Sequence, residues 1–137
     1  MSSESLVQLA RKIATEAHAG QFRRCGIVPY IVHPEMVAGR VGDDLDAQVV
    51  AWLHDVIEDS SQTPQSLIDA GIPAHLVETV VLMTKTQDTD YEAYLEKIAG
   101  SALATKVKIA DMLSNLSDSP SPKQIQKYAK GLLRLAR

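Results

Sequence analysis

An all-α fold is what this chain predicts, and three features predict it. Its apolar residues recur at three- and four-residue spacing through most of the 137 positions. Those residues are mainly Leu, Val, Ile, Ala and Met. Aromatic residues make up only 4% of a chain that is 45% hydrophobic, a balance that suits packed helices better than a sheet of aromatic and β-branched side chains. Finally, Gly20, Pro34, Gly71, Pro73, Gly100 and Pro122 punctuate the periodic stretches, and no convincing strand alternation is present. The expectation is one all-α domain, a bundle of about eight helices over residues 1–137, without repeat or linker.

Residues 4–18 read as an amphipathic helix with Leu6, Leu9, Ala10, Ile13, Ala14 and Ala17 as its stripe. Ser2 or Ser3 caps it, Glu4 suits its first turn and Gly20 ends it. Residues 20–33 read as a long loop, a length often tied to function in a compact domain. It carries Arg23 and Arg24 and closes at His33, just before a helix expected over 34–42 with Pro34 in its first turn. Taken alone, His33 reads as a capping or core histidine and the arginines as solvated surface. Asp44 caps a central helix over 45–59. Thr63 and Pro64 open a helix over 64–70, which Gly71 ends. Pro73 starts another over 73–85, with Leu76, Val77, Val80, Val81, Met83 and Thr84 mostly buried and His75 at the surface. Helices over 90–99, 101–117 and 121–136 complete the chain, the last one basic, with its charges read as a solvated face.

The stretch from Ala51 to Asp59 is where this pattern carries chemistry. Its apolar helix contains His54, Asp55, Glu58 and Asp59, with His54 and Glu58 on one edge and Asp55 and Asp59 on another. Ionised carboxylates out of water cost several kcal/mol each unless something positive compensates them. A divalent metal is the simplest compensation, since imidazole nitrogen and carboxylate oxygen are its usual ligands. The competing reading of Glu58 and Asp59 is a solvated helix end. Asp111 interrupts the apolar surface of the 101–117 helix, with Lys108 and Asn115 within a turn of it. An acid so placed is paired, metal-bound or turned to solvent.

Five segments together resemble the HD-domain metal-dependent phosphohydrolases, and within them the RelA/SpoT-type (p)ppGpp hydrolase domain of the small stand-alone alarmone hydrolases. They are Ala17-His18-Ala19-Gly20-Gln21 followed by Arg23; Gly26 with Pro29-Tyr30-Ile31-Val32-His33-Pro34; Trp52-Leu53-His54-Asp55-Val56-Ile57-Glu58-Asp59; Thr84-Lys85; and Lys108-Ile109-Ala110-Asp111 with Asn115. The resemblance implies that His33, His54, Asp55 and Asp111 hold one divalent metal, typically Mn²⁺, and that Glu58 and Asp59 orient or deprotonate the attacking water. It implies that Arg23, Arg24, Lys85, Lys108 and Asn115 meet the substrate, with His18 behind the site. The implied reaction removes the 3′-pyrophosphate of (p)ppGpp, giving GDP or GTP and pyrophosphate. Many relatives have His-Asn where this chain has Ser114-Asn115, a departure that bears on substrate preference. Alternatives are an HD phosphatase for a nucleoside monophosphate or NADPH, and a catalytically silent nucleotide-binding domain.

Composition narrows the partners. A net charge of −3 without a basic stripe speaks against nucleic acid. No apolar run reaches membrane-span length, and the start lacks the pattern of a signal peptide. The single cysteine, Cys25, suits a reducing cytoplasm. The expected partner is a small nucleotide, and self-association is compatible with the sequence.

Overall fold

Nine helical segments make up the fold among residues 2–23 and 26–136, which are the residues this computed structural model describes; Arg24 and Cys25 lie outside the described residues. They are α1 (Ser3–Ala17), α2 (Val32–Arg40), α3 (Leu45–Leu53), α4 (Val56–Asp59), α5 (Pro64–Ala70), α6 (Ala74–Met83), α7 (Tyr91–Ala99), α8 (Ala102–Leu116) and α9 (Pro122–Leu135). The starts are set by short polar caps. Ser2 accepts the Ser5 N–H at 3.1 Å and Asp44 accepts the Ala47 N–H at 3.1 Å. Thr63 with Ser66 and Ser121 with Gln124 form reciprocal capping boxes. Gly71 ends α5 in the left-handed region at φ 113°, where a side chain would be strained. No helix of the described residues is long and apolar enough to cross a membrane.

Burial organises these helices around α3. Ala47, Val49, Val50, Ala51, Trp52 and Leu53 are all buried, enclosed by α1, α2, α6 and α8. Truncating a side chain such as Leu53 to Ala would cost about 2–5 kcal/mol. On α6 the expected burial holds for Leu76, Val77, Val80 and Met83, whereas Val81 is exposed, and His75 lies at the surface as expected.

The central helix departs from the continuous 45–59 run that its periodicity suggests. It breaks after Leu53 and resumes at Val56, with Asp55 at φ −107°, ψ 0°. Side chains one residue apart on a regular helix diverge by about 100°. The break lets the adjacent His54 and Asp55 side chains reach the same point. Counting α3 and α4 as one interrupted helix gives the expected eight.

Close approach positions α9. Gly131 faces α8, and a Cβ there would lie 2.8 Å from the Met112 side chain. Its buried face runs through Gly131 and Leu135. Earlier on the same face, one and two turns back, come Tyr128, Lys127 and Gln124.

Candidate functional site

Two imidazoles and two carboxylates from α2, the α3–α4 break and α8 converge on one point. His33 Nε2 lies 2.8 Å from Asp111 Oδ1, and His54 Nε2 lies 3.4 Å from that oxygen. Asp55 Oδ2 is 3.0 Å from His54 Nε2 and 3.9 Å from His33 Nε2. Ligand atoms of His33, His54 and Asp111 all lie within 4.8 Å of one another. Neighbouring ligands about 2.1 Å from a six-coordinate ion sit about 3 Å apart, so the spacing is that of a ligand set.

Supporting contacts fix each of these groups. His54 Nδ1 donates to the Ala51 carbonyl at 2.7 Å, which settles the tautomer because a carbonyl only accepts. The opposite nitrogen, Nε2, is buried without a hydrogen-bond partner of its own and faces two carboxylates. A lone pair aimed at two anions is unfavourable unless a proton or a metal ion stands between them. The donor set therefore fits a divalent cation, with the Ala51 carbonyl orienting the imidazole behind it. Tyr30 Oη donates to Asp55 Oδ2 at 2.6 Å, and Lys108 Nζ donates to Asp111 Oδ2 at 2.8 Å.

Charges follow from this packing. Burial disfavours ionised Asp111, but the Lys108 ammonium, the His33 contact and the nearby His54 imidazole hold it well below the usual carboxylate range. Burial likewise opposes a charged Asp55, and the adjacent His54 imidazole and the bond from Tyr30 outweigh it, so Asp55 too is lowered. Burial opposes a charged His54, yet Asp55 and Asp111 raise it well above the ordinary imidazole range. Asp59 is raised, first by burial and then by Asp55 and Glu58.

No family model matches the chain, but individual relatives do. It is 33% identical, over 93% of its length, to a probable GTP pyrophosphokinase of Mycobacterium leprae. Over 77% of its length it is 38% identical to the guanosine-3′,5′-bis(diphosphate) 3′-pyrophosphohydrolase of Haemophilus influenzae. Over the same share it is 36% identical to the bifunctional (p)ppGpp synthase/hydrolase SpoT of Escherichia coli. It covers only 18%, 16% and 16% of those proteins. Among solved structures, a metazoan ortholog of SpoT described as hydrolysing ppGpp superimposes with a TM-score of 0.79 at 21% identity, covering 96% of this chain and 83% of that one. The chain is thus similar, over most of its own length, to part of the RelA/SpoT-type proteins, and it shares the fold of the metazoan SpoT ortholog.

Beside this cluster of imidazoles and carboxylates opens a cavity of about 350 Å³. Of the residues the sequence singles out, Arg23, His33, His54, Asp55, Glu58, Lys85, Lys108, Asp111 and Asn115 line it. Asp59 is not part of that lining; its backbone carbonyl accepts from Gln21 at 2.8 Å. Glu58 accepts the Lys85 N–H at 2.7 Å, tying α4 to the segment after α6. Arg23 donates to Asp118 at 3.0 Å and to Asn115 at 3.2 Å, so part of its fork is already engaged. Asn115 in turn donates to Asp111 at 3.3 Å. His18 is buried against the Tyr30 ring, 4.8 Å between centroids, as expected of a residue behind the site.

Two expectations change. Ser114 does not face the cavity: its buried hydroxyl donates to the Ala110 carbonyl and accepts from Arg40 at 3.1 Å, so it ties α8 to α2. The basic face of α9 is not wholly solvated, because Gln124, Lys127 and Tyr128 line the cavity with Tyr91 and Tyr94. Their spacing, 124, 127 and 128, was the available signal: it lies on the same helical face as Gly131 and Leu135.

Proposed function

We propose that residues 1–137 act as a single hydrolase domain that removes the 3′-pyrophosphate of (p)ppGpp, giving GDP or GTP and pyrophosphate, with Mn²⁺ as the ion and the cytoplasm as its compartment. The observation that carries this reading is the meeting of His33, His54, Asp55 and Asp111 at one end of a cavity that lysines line elsewhere. His33, His54, Asp55 and Asp111 would hold the ion. When bound, it lowers the pKa of a water ligand and polarises a phosphoryl oxygen.

The remaining work falls to the chain's own side chains. Water adds to the phosphorus attached to the 3′ oxygen, the bond from that phosphorus to O3′ breaks, and pyrophosphate leaves. The nucleoside O3′ takes up a proton. Glu58, held by the Lys85 N–H and facing the cavity, is placed to accept the proton of the attacking water. Asp59, whose carboxyl is raised, stands one residue on as a reserve for that proton. Lys108, beside Asp111, offsets charge on the phosphate oxygens at the reacting end, which is what phosphoryl transfer asks of a protein, and Lys85 lines the cavity as a further substrate contact. Arg23 offers its planar face over Tyr30, 5.7 Å from the ring centre, while its nitrogens are engaged with Asp118 and Asn115.

The test is a substrate panel of ppGpp, dAMP and NADPH with Mn²⁺, with products identified by chromatography. The expected result is GDP and pyrophosphate from ppGpp, abolished by a chelator. Turnover of dAMP or NADPH with ppGpp untouched would overturn the reading.

A further inference from the structure

One wall of the cavity, built from Lys85, Lys127 and the tyrosines beside them, is cationic. Lys85 Nζ lies 5.8 Å from the centre of the Tyr91 ring and 5.7 Å from that of Tyr94. Lys127 Nζ lies 4.8 Å from the centre of Tyr91 and 5.6 Å from that of Tyr128. The two ammonium groups thus share Tyr91. Among the described residues no carboxylate comes within ion-pair distance of either one, whereas the neighbouring Lys108 is paired with Asp111. Burial holds the Lys127 ammonium below the ordinary lysine range, the charges of Lys85 and Lys108 act in the same direction, and Asp111 offsets part of this. Like charges gathered on an aromatic bed repel one another, and an anion between them relieves that repulsion.

Resting on the proposed hydrolase reading, we infer that Lys127 of α9, with Lys85 beside it, forms a second anion subsite that receives the 5′-diphosphate while the 3′-diphosphate lies at the ligand cluster. A nucleotide with phosphate at both ends of its ribose can occupy both poles of the cavity. A nucleoside monophosphate fills only one. The subsite therefore sets preference among nucleotides and takes no part in bond cleavage. Tyr91 and Tyr128 hold the two lysine side chains in place, and Gln124, one turn before Tyr128, adds an uncharged donor at the same wall.

The test compares kcat/KM for ppGpp and for guanosine 3′-diphosphate, which lacks the 5′ group, in the wild type, K127A and K127R. A charge-assisted contact corresponds to about a tenfold effect or more. The wild type should favour ppGpp by about tenfold or more, K127A should bring the two substrates to near equality mainly through KM, and K127R should restore most of the preference. A preference unchanged in K127A overturns the subsite. So does K127R behaving like K127A. GDP binding to chelator-treated full chain, followed by calorimetry, separates this idea from the hydrolase reading. GDP held by the wild type and weakened about tenfold in K127A supports the subsite even if ppGpp is not turned over. Turnover of ppGpp with GDP binding indifferent to Lys127 overturns the subsite and leaves the hydrolase reading standing.

Discussion

The two ends of the cavity are built on opposite principles. At the acidic end the two buried aspartates already have counterparts: Asp111 with Lys108, His33, His54 and Asn115, and Asp55 with His54 and Tyr30. Lys85 and Lys127, by contrast, rest on tyrosine rings, with no carboxylate among the described residues in ion-pair distance. A pre-paired end holds its geometry before anything binds, which suits a cation whose ligands must be placed to a few tenths of an ångström. An end with unmatched charge draws its counter-charge from what binds there. The contrast teaches that one pocket can be rigid where chemistry is done and receptive where a substrate is recognised.

Removing a member of the paired end should have the largest effect. Asp111→Ala should abolish ion binding and hydrolysis together, and leave the Lys108 ammonium buried without its partner. Breaking a buried pair from one side costs about 3–5 kcal/mol. Thermal unfolding of the chelated protein should show that loss, and Asp111→Ala combined with Lys108→Met should recover much of it. Equal stability of the two variants would mean that Lys108 is not held by Asp111 in solution.

Glu58→Gln comes next. It keeps the cavity shape and the ion but removes the proton acceptor, so kcat should fall about 10²–10⁴-fold with metal content unchanged. An unchanged kcat would remove Glu58 from the proton's path.

The pairing also has a pH signature. Asp55 and Asp111 raise His54, so its imidazole carries a proton in the ion-free protein, and an ion can bind Nε2 only after that proton leaves. Affinity for Mn²⁺ should therefore rise with pH, up to about tenfold per unit below the raised value. Calorimetry in buffers of different ionisation enthalpy should detect proton release on binding; heats independent of buffer would contradict the pairing.

The smallest effect lies far from both ends. Asp44 caps α3, and its bond from the Ala47 N–H, partly offset by burial, lowers its pKa. A lowered carboxylate contributes stability above its unfolded value and loses it as pH falls through the folded one. Asp44 is partly exposed, so Asp44→Ala should cost only about 0.5–1 kcal/mol near neutrality and make the acid limb of unfolding shallower.

How much of this was legible varied with distance along the chain. His54, Asp55 and Asp111 stood out because each is a polar group set in an apolar run, and burial demands a reason for it, whereas His33 read alone as a capping or core histidine and entered only through the resemblance carried by residues 29–34. The helix break at Asp55 could not, since hydrophobic spacing through Val56 and Ile57 stays helical across it. Lys127 was passed over because the basic residues of the last helix read as a solvated face, although its spacing with Gln124 and Tyr128 puts it on the face of Gly131, which closes on Met112. Ser114 looked like a loss at the site because it stands next to Asn115, yet on a helix adjacent residues face different neighbours, and it meets Arg40 instead.

The claim underlying all of this is that four side chains from three segments grip a single ion. Titration of the full chain with Mn²⁺, followed by electron paramagnetic resonance, tests it most directly. One ion should bind per chain, and His33→Ala, His54→Ala, Asp55→Ala and Asp111→Ala should each weaken it by more than about a hundredfold, beyond what loss of a supporting contact does. Binding of one ion at wild-type affinity in any of these variants would contradict that residue's place in the set, and in all four it would contradict the account.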